Sequence, residues 1–302
     1  MYRVKKLLEI DELQKYGLSG KNVGIAVIDT GISKHDDFNF DNIYFHDYVN
    51  GYINCYDDNG HGSHVCGIIC GSGKKSKGRY CGIAPDSKII MLKCLDKSGN
   101  GKIVNAIKAC EFIFDNHTKL NIRIVNISVG AVNDNDLNIE NLKKVVYKLW
   151  EAGIVVVAAA GNNGPNPDSI TIPGACREII TVGASDDNVN YPGELRRNYS
   201  GRGKYYDYVT KPEIVAPGTG IISCDNKNGY KKKSGTSMAA PIVSGTIALL
   251  LEYYPELNNH EIRDILYRTA KNIGLEKTHQ GYGQIYPYRA FSEIKSLKKA
   301  LK

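Results

Sequence analysis

The chain has no stretch that resembles a membrane span or a secretory leader. None of its apolar runs reaches the roughly 18 residues that a spanning helix needs. The first eight residues carry basic side chains and only two adjacent leucines, without the longer apolar stretch and small-residue cleavage site of a signal peptide. We therefore expect a cytoplasmic protein that has no membrane partner.

Cysteine patterns that bind metal are also missing. The chain has eight cysteines but no Cys-x-x-Cys pair and no Cys/His spacing suited to zinc. Several lie within apolar stretches, as Cys94 does, so we expect free, buried thiols that a reducing compartment keeps reduced. The alternative is a redox or metal role for Cys66 and Cys70, which lie four residues apart on one predicted helix.

The positive charge of the chain is not concentrated in one basic stripe. The net charge is +7, and the lysines are scattered apart from short clusters such as residues 231–233. A basic chain can attract nucleic acid, but no aromatic residues are interleaved with these lysines as in many nucleic-acid sites. A solvated surface is the simpler interpretation, and we expect no nucleic-acid partner.

Repeats, linkers and low-complexity segments are absent as well, so we predict one domain over residues 1–302. A chain of 302 residues is long enough to bury one large core. Residues 1–20 are expected to form a helical lead-in, because apolar residues recur at helical spacing over 7–17. Residues 287–302 are expected to form a basic C-terminal helix.

Strand and helix patterns alternate between these two ends. Runs rich in valine and isoleucine predict strands at residues 23–28, 88–94, 123–128, 154–159 and 179–184. Periodic apolar residues predict helices at residues 61–71, 102–114, 141–151, 237–254 and 260–269. Asn258 or Asn259 would cap the last of these helices. Such alternation indicates an α/β protein whose parallel sheet is covered by helices on both faces.

The most informative segment spans residues 234–241, with the sequence SGTSMAAP. Ser237 precedes small residues and then a long apolar stretch, which places it at the first turn of a buried helix, and Gly235 lets the backbone turn sharply into that helix. A helix N-terminus offers unpaired N–H groups and a positive dipole end, which suit a developing oxyanion. Ser237 is therefore a candidate nucleophile, although a serine at a helix start is usually a cap.

Two further segments supply an acid and a base. Residues 25–29 form an apolar run ending in Asp29, as expected for a central parallel strand with a carboxylate at its C-terminal end. His61 begins a predicted helix and lies between two glycines. The chain order acid, histidine, serine is the order of the subtilisin triad. Ser237 would attack a carbonyl, His61 would take and return the proton, and Asp29 would orient His61.

These motifs resemble those of the subtilisin-like serine proteases (subtilases, peptidase family S8). The resemblance extends over about residues 13–290, and the intracellular AprX-type subtilases are the subgroup that the chain is most similar to. It implies a three-layer αβα fold with a central, mostly parallel seven-stranded sheet. It also implies a serine endopeptidase that cleaves polypeptides and needs no cofactor for the chemistry. The matching motifs are DTG at 29–31, HGSH at 61–64, AGN at 160–162 and GTSMAAP at 235–241.

The same resemblance implies where the oxyanion and the substrate bind. From its neighbours alone, Asn162 would be interpreted as a turn residue. The resemblance implies instead that its side chain donates to the oxyanion and that the Ser237 N–H is the second donor. Substrate would add as a strand, with its specificity pocket between residues 128–130 and 159–164. Thr171 lies near the pocket floor, where some relatives have glycine, so we expect Leu or Met before the cut. The implied substrate-binding residues are Ser98, Gly99, Gly101, Ser128, Val129, Gly130, Ala160, Gly161 and Thr171.

Two other residues raise the question of a metal ion. His64 follows His61 by three positions, but no Glu follows His61 as in zinc peptidases, so we expect a packed histidine that supports the helix. Asp37 matches a position that ligates calcium in many secreted relatives, yet the lysine-rich residues 73–81 do not match their ligand loop. We interpret Asp37 as a surface acid, with a structural calcium ligand as the alternative.

Two functions other than peptide hydrolysis stay open at this stage. One is a non-proteolytic regulatory or binding protein on a subtilase scaffold, and the other is an acyl hydrolase that uses the same triad on esters. Degenerate triads would mark the first class, and the triad of this chain is complete. No feature of the sequence indicates an oligomeric state.

Overall fold

The centre of the protein is a parallel sheet of seven strands, seen in a computed structural model that describes residues 1–130, 136–189, 197–204 and 208–300. The strands are β1 (Gly24–Asp29), β2 (Ile43–Asp47), β3 (Lys88–Lys93), β4 (Ile122–Ile127), β5 (Val155–Ala159), β6 (Ile180–Ala184) and β7 (Ile214–Ala216). They lie in the order β2-β3-β1-β4-β5-β6-β7, and all neighbouring pairs are parallel. Every residue of β1 and β5 is buried, because both faces of the sheet are covered.

Helices form the two outer layers. In chain order they are α1 (Tyr2–Leu7), α2 (Ile10–Gln14), α3 (His61–Cys70), α4 (Ile103–Leu120), α5 (Asp136–Glu151), α6 (Thr236–Tyr253), α7 (Asn259–Thr269), α8 (Lys277–Gln280) and α9 (Pro287–Ala300). Helices α3 and α6 pack against each other on one face of the sheet, and α4 and α5 pack against each other on the other. The predicted three-layer αβα fold is confirmed.

The topology brings the ends of several strands to one crevice. Strands β3 and β2 lie on one side of β1, and strands β4 to β7 lie on the other. The strand order therefore reverses between β1 and β4. In open parallel sheets the ligand site lies at such a reversal, beyond the carboxyl ends of the strands. Asp29 ends β1 and Ser128 follows β4, which places both at this crevice.

Helix α6 passes through the centre of the fold. By length and composition alone it could cross a membrane, contrary to the expectation from the sequence. However, 89% of that stretch is buried inside the protein. Fifteen of its residues, Thr236 and those from Met238 to Leu251, belong to the interior. The helix is apolar because protein surrounds it on all sides.

A small antiparallel hairpin lies outside the main sheet. Its strands are β8 (Ile221–Cys224) and β9 (Tyr230–Lys233), and β8 packs against α3. The sequence did not predict this hairpin, nor β2 and β7. β7 is apolar but has only three residues, and four of the five residues of β2 are partly or fully exposed, so neither shows an apolar run of ordinary strand length.

The predicted elements are present, with their ends shifted. Helix α4 continues to Leu120, and α5 begins at Asp136 rather than at residue 141. Asn258 is the residue that caps α7, through a capping box with Glu261. The N-terminal lead-in is two helices rather than one, because Glu9 adopts a left-handed backbone with φ 53° between α1 and α2.

Candidate active site

Asp29 and His61 form a buried acid–imidazole pair. Asp29 is 0% exposed at the end of β1, and its Oδ1 lies 2.7 Å from Nδ1 of His61, the first residue of α3. The Thr30 N–H also donates to Oδ1, at 2.7 Å. The carboxylate therefore favours the tautomer in which Nδ1 carries the proton and Nε2 can accept one. The His61 side chain is 23% exposed, so its far edge is open to solvent.

A second buried acid, Asp57, holds the start of the histidine helix. Its Oδ1 accepts from Thr30 Oγ1 at 2.9 Å and from the N–H groups of Asn59 and Gly60 at 3.1 and 2.8 Å. Its Oδ2 accepts from the N–H and the hydroxyl of Ser63, at 2.9 and 2.7 Å. A carboxylate placed here satisfies unpaired N–H groups and complements the helix dipole.

Asp57 also joins the acid strand to the histidine helix. Thr30, which donates to Asp57, accepts a hydrogen bond from the Gly62 N–H at 2.8 Å through the same hydroxyl. Thr30 and Gly62, the residues that follow Asp29 and His61 in the chain, are thus joined by a hydrogen bond of their own. Asp57 was not among the predicted site residues, although an acid four residues before a helix-starting histidine was a usable signal.

Lys93 is the second residue that the sequence analysis missed. It ends β3, is 0% exposed, and donates from Nζ to the carbonyl oxygens of Thr30 and Leu95, at 2.6 and 2.8 Å. The positive charge of Lys93 is paired with Asp58, whose Oδ1 lies 2.8 Å from Nζ. The same ammonium group lies over the Tyr56 ring. A buried ammonium with one carboxylate and two carbonyl partners is satisfied, so Lys93 links the acid strand to the segment that follows β3.

Ser237 lies in the first turn of α6, as predicted. Gly235 precedes the helix with φ 154°, and a Cβ on it would lie 3.3 Å from the amide nitrogen of Asn162. The Thr236 N–H donates to Asn162 Oδ1 at 2.9 Å. Because its oxygen accepts this bond, the amide of Asn162 is oriented, and its Nδ2 has no partner among the described residues. The first N–H groups of α6, including that of Ser237, have no partner within the helix.

The structure brings together two of the three predicted triad residues by direct contact. No hydrogen bond joins the Ser237 hydroxyl to the His61 ring within the described part of the chain. Both residues lie at the N-terminal ends of helices that pack against each other, α3 and α6. Catalytic hydrogen bonds of this kind are often long without substrate and shorten when it binds.

A cleft of about 560 Å³ opens beside Ser237. Of the residues predicted to bind substrate, the lining includes Gly99, Gly101, Ser128, Val129, Gly130, Gly161 and Thr171, together with Asn162. Ser98 and Ala160 are not among the lining residues. Ser98 is exposed and its N–H donates to Asp96, whereas Ala160 is 0% exposed and both its backbone groups are bonded within the fold.

Thr171 closes one end of this cleft between two glycines. A Cβ on Gly130 would lie 2.2 Å from Thr171 Oγ1, and a Cβ on Gly161 would lie 2.6 Å from its Cγ2. Thr171 is 8% exposed, and its hydroxyl has no hydrogen-bond partner in the part of the chain described. Among the residues that the structure describes, no acid lines the cleft, and Asp168 lies outside it, exposed and paired with Lys204. The described lining combines apolar side chains and glycines with polar groups such as Asn100 and Lys102.

All eight cysteines are free thiols, and two of them, Cys94 and Cys110, contribute to the cleft wall. No thiol was predicted at this position. Each is 1% exposed, and burial raises the pKa of Cys110 to about 12 and that of Cys94 well above its usual value. Both thiols are therefore protonated and poor nucleophiles at neutral pH.

His64 supports the histidine helix, as expected. Its Nε2 lies 3.1 Å from the Ile221 carbonyl and 2.9 Å from the Lys231 carbonyl, so it links α3 to the β8–β9 hairpin. It is 0% exposed, and burial, with a contribution from Lys233, lowers its pKa to about 3. His64 therefore stays neutral at physiological pH and holds a structural position.

Asp37 is not a surface acid, because it is only 1% exposed. Its surroundings also do not fit calcium. Oδ2 accepts from the Tyr230 hydroxyl at 2.7 Å and from the Cys224 thiol, and Oδ1 accepts from the Lys75 N–H at 2.8 Å. Calcium needs six to eight oxygen ligands, whereas Asp37 is surrounded by hydrogen-bond donors.

Comparison with known proteins agrees with this arrangement. The model of the subtilase family, Peptidase_S8, matches residues 20–284. The serine protease AprX of Bacillus subtilis (strain 168) is 38% identical over 270 residues, which are 82% of this chain and 61% of that protein. Subtilisin DY of Bacillus licheniformis is 34% identical over 282 residues, which are 92% of this chain and 94% of that protein.

A solved structure shows the same fold over the whole length. The CspB protease of Clostridium perfringens is similar with a TM-score of 0.85 at 21% identity, over 99% of this chain and 98% of that one. This chain spans less than two thirds of AprX but nearly all of subtilisin DY. The chain belongs to the subtilase family, the family of subtilisin-type serine peptidases.

Proposed function

We propose that the chain is a serine endopeptidase whose triad is Ser237, His61 and Asp29. The observation that carries this proposal is the 2.7 Å contact between the buried Asp29 carboxylate and His61 Nδ1, on a helix that packs against the one carrying Ser237 in its first turn. With Nδ1–H held by Asp29, the Nε2 lone pair of His61 is available to take a proton.

The reaction follows from these positions. Ser237 Oγ attacks the peptide carbonyl carbon while its proton passes to His61 Nε2, and the C–N bond breaks as His61 gives that proton to the leaving nitrogen. Water, deprotonated by His61, then releases the acyl group from Ser237. Asp29 stabilises the imidazolium that forms in each half of the reaction.

Asn162 and the start of α6 would stabilise the oxyanion. The Oδ1 atom of Asn162 is engaged by the Thr236 N–H, so Nδ2 is the end of the amide that can donate to substrate. The Ser237 N–H at the first turn of α6 is the second donor, and the helix dipole adds a favourable potential. Preorganised donors of this type lower the barrier because they need no reorientation during the reaction.

The cleft beside Ser237 would bind the substrate chain. Residues 99–101 and 128–130 form its two walls, and glycines in both allow a peptide backbone to approach closely. With Thr171 at the closed end and no acid in the described part of the lining, we propose a preference for Leu or Met over Trp and Arg before the cut. A cytoplasmic location, suggested by eight free thiols, belongs to the same proposal.

Hydrolysis of an unfolded protein tests the proposed function. The wild type should digest casein, and Ser237→Ala and His61→Ala should each lose nearly all of this activity, while Ser296→Ala, an exposed serine on α9, should keep it. A non-proteolytic binding protein would leave casein intact in all four cases. An esterase would cleave an activated ester through Ser237 but leave casein intact, and either result would contradict the proposal.

A further inference from the structure

Three buried side chains with metal-binding atoms converge on the side of α3 where the β8–β9 hairpin packs. His35 and Asp37 lie in the segment after β1, and Cys224 ends β8. One ligand atom from each lies within 4.8 Å of the other two. Their residues are 4%, 1% and 0% exposed. None of the three belongs to the triad or to the cleft, so this cluster is separate from the proposed active site.

The carboxylate of this cluster is buried without a cation. The Tyr230 hydroxyl, the Cys224 thiol and the Lys75 N–H donate to Asp37, and none of these groups carries a positive charge. No cationic side chain is paired with Asp37 in the described ranges of the chain. A buried charge is normally paired with an opposite charge or bound to a metal ion, so Asp37 lacks the partner that its burial calls for.

The donor set suits zinc rather than calcium. Thiolate, imidazole and carboxylate are the three ligand types that zinc uses, whereas calcium and magnesium take oxygen ligands. The Cys224 Sγ to Asp37 Oδ2 distance of 3.8 Å is close to the spacing of two ligands on one tetrahedral ion. A divalent ion with one carboxylate, one thiolate and a neutral imidazole also forms a site of zero net charge, which suits a buried position.

Outer contacts that usually support metal ligands are already present. His35 Nε2 lies 2.8 Å from the Gly229 carbonyl, which fixes the proton on Nε2 and leaves the Nδ1 lone pair for a ligand bond. That lone pair now accepts from the Asp37 N–H at 3.0 Å, a contact that a metal ion would replace. The second oxygen of Asp37 is held by Lys75. Ligating histidines and carboxylates typically have such partners.

We propose that His35, Asp37 and Cys224 bind one zinc ion, with the Tyr230 hydroxyl or a water as the fourth ligand. On binding, the S–H bond of Cys224 breaks, a Zn–S bond forms, and the proton leaves to solvent. The ion links the segment after β1 to the hairpin, which His64 already joins to α3. It acts by stabilising the scaffold around Asp29 and His61, without taking part in peptide hydrolysis.

Cobalt titration tests this site, since Co²⁺ reports thiolate ligands by absorption. The protein is Ser237→Ala, which prevents self-digestion, treated with chelator and then dialysed free of it. We expect one Co²⁺ per chain with a thiolate-to-cobalt band in the near ultraviolet, displacement of that band by Zn²⁺, and a higher melting temperature with Zn²⁺. Binding without a thiolate band, or no binding at millimolar Co²⁺, would overturn the proposal.

Two variants and a control locate the ion. Cys224→Ser should lose the band and weaken Zn²⁺ binding by at least about 100-fold, more than is typical for the loss of an outer partner. His35→Gln should weaken Zn²⁺ binding similarly, and it replaces Cys224→Ser as the test variant if Cys224→Ser does not fold. Cys176→Ser removes another buried thiol and should bind Zn²⁺ as the parent protein does. If Cys176→Ser loses the band, or both ligand variants keep it, the assignment is wrong.

Discussion

Replacing Asp57 by asparagine should damage the protein more than its distance from the chemistry suggests. The carboxylate is 4% exposed and accepts five hydrogen bonds. An asparagine keeps only one oxygen, so at least the two donors of Ser63 lose their acceptor and face an NH₂ group instead. Each buried donor left unpaired costs about 1–3 kcal/mol, so Asp57→Asn should lower the free energy of unfolding by about 2–6 kcal/mol.

Catalysis should suffer in the same variant, because Asp57 positions His61. Ser63 lies in the first turn of α3, two residues after His61, so loss of both its bonds to Asp57 loosens the turn that carries His61. In the protein that remains folded, counted by active-site titration, kcat should fall while KM changes little, since no substrate contact is altered.

The assay combines chemical denaturation, done on the Ser237→Ala background, with peptide kinetics on the otherwise native protein. Asp41→Asn is the matched control, because Asp41 is exposed, and its unfolding free energy should change by less than about 0.5 kcal/mol. If Asp57→Asn is as stable as this control, or if KM rises while kcat is unchanged, then Asp57 does not hold the histidine helix as described.

Three further predictions concern the cleft. Asn162→Ala should lower kcat by about 10²–10³ with little change in KM, the loss known for a side-chain oxyanion donor in a subtilisin, and an unchanged kcat would place the oxyanion elsewhere. Thr171→Gly should deepen the pocket and raise kcat/KM for Phe relative to Leu before the cut by roughly tenfold, as measured on a peptide library; a profile dominated by Arg would contradict this pocket. Activity should survive iodoacetamide but not a sulfonyl fluoride, because burial raises the pKa values of Cys94 and Cys110; rapid inactivation by iodoacetamide would place a reactive thiol at the site.

The parts of the fold that follow from continuous apolar runs could be predicted from the sequence. The strand that ends at Asp29 and helix α6, which carries Ser237 in its first turn, are buried on all sides, so their sequences carry a nearly unbroken apolar signal. The edge strand β2 is partly exposed and β7 is three residues long, so neither has such a signal. That residues 1–302 form one domain stays a prediction.

Contacts between distant segments are what the sequence analysis could not supply. Lys93 and Asp57 both bind Thr30, which is distant from each of them in sequence, and no residue pattern encodes those contacts. The local bonds of Asp57 to the start of α3 are the part for which the sequence did carry a signal. The cluster of His35, Asp37 and Cys224 was missed for the same reason, because Cys224 lies 187 residues beyond Asp37 and no short metal motif joins them. Asp37 was expected at the surface because acids usually lie there.

Site mapping of a fluorophosphonate label tests the central claim most directly. The probe phosphonylates an activated serine, and mass spectrometry identifies the modified residue. If Ser237 is the nucleophile of a triad with His61 and Asp29, the wild type should carry one label, on Ser237, and Ser237→Ala should carry none. Asp29→Asn should label much more slowly, because His61 would lose the carboxylate that orients it. Full labelling of Ser237→Ala at another serine, or no labelling of an active wild type, would contradict the account.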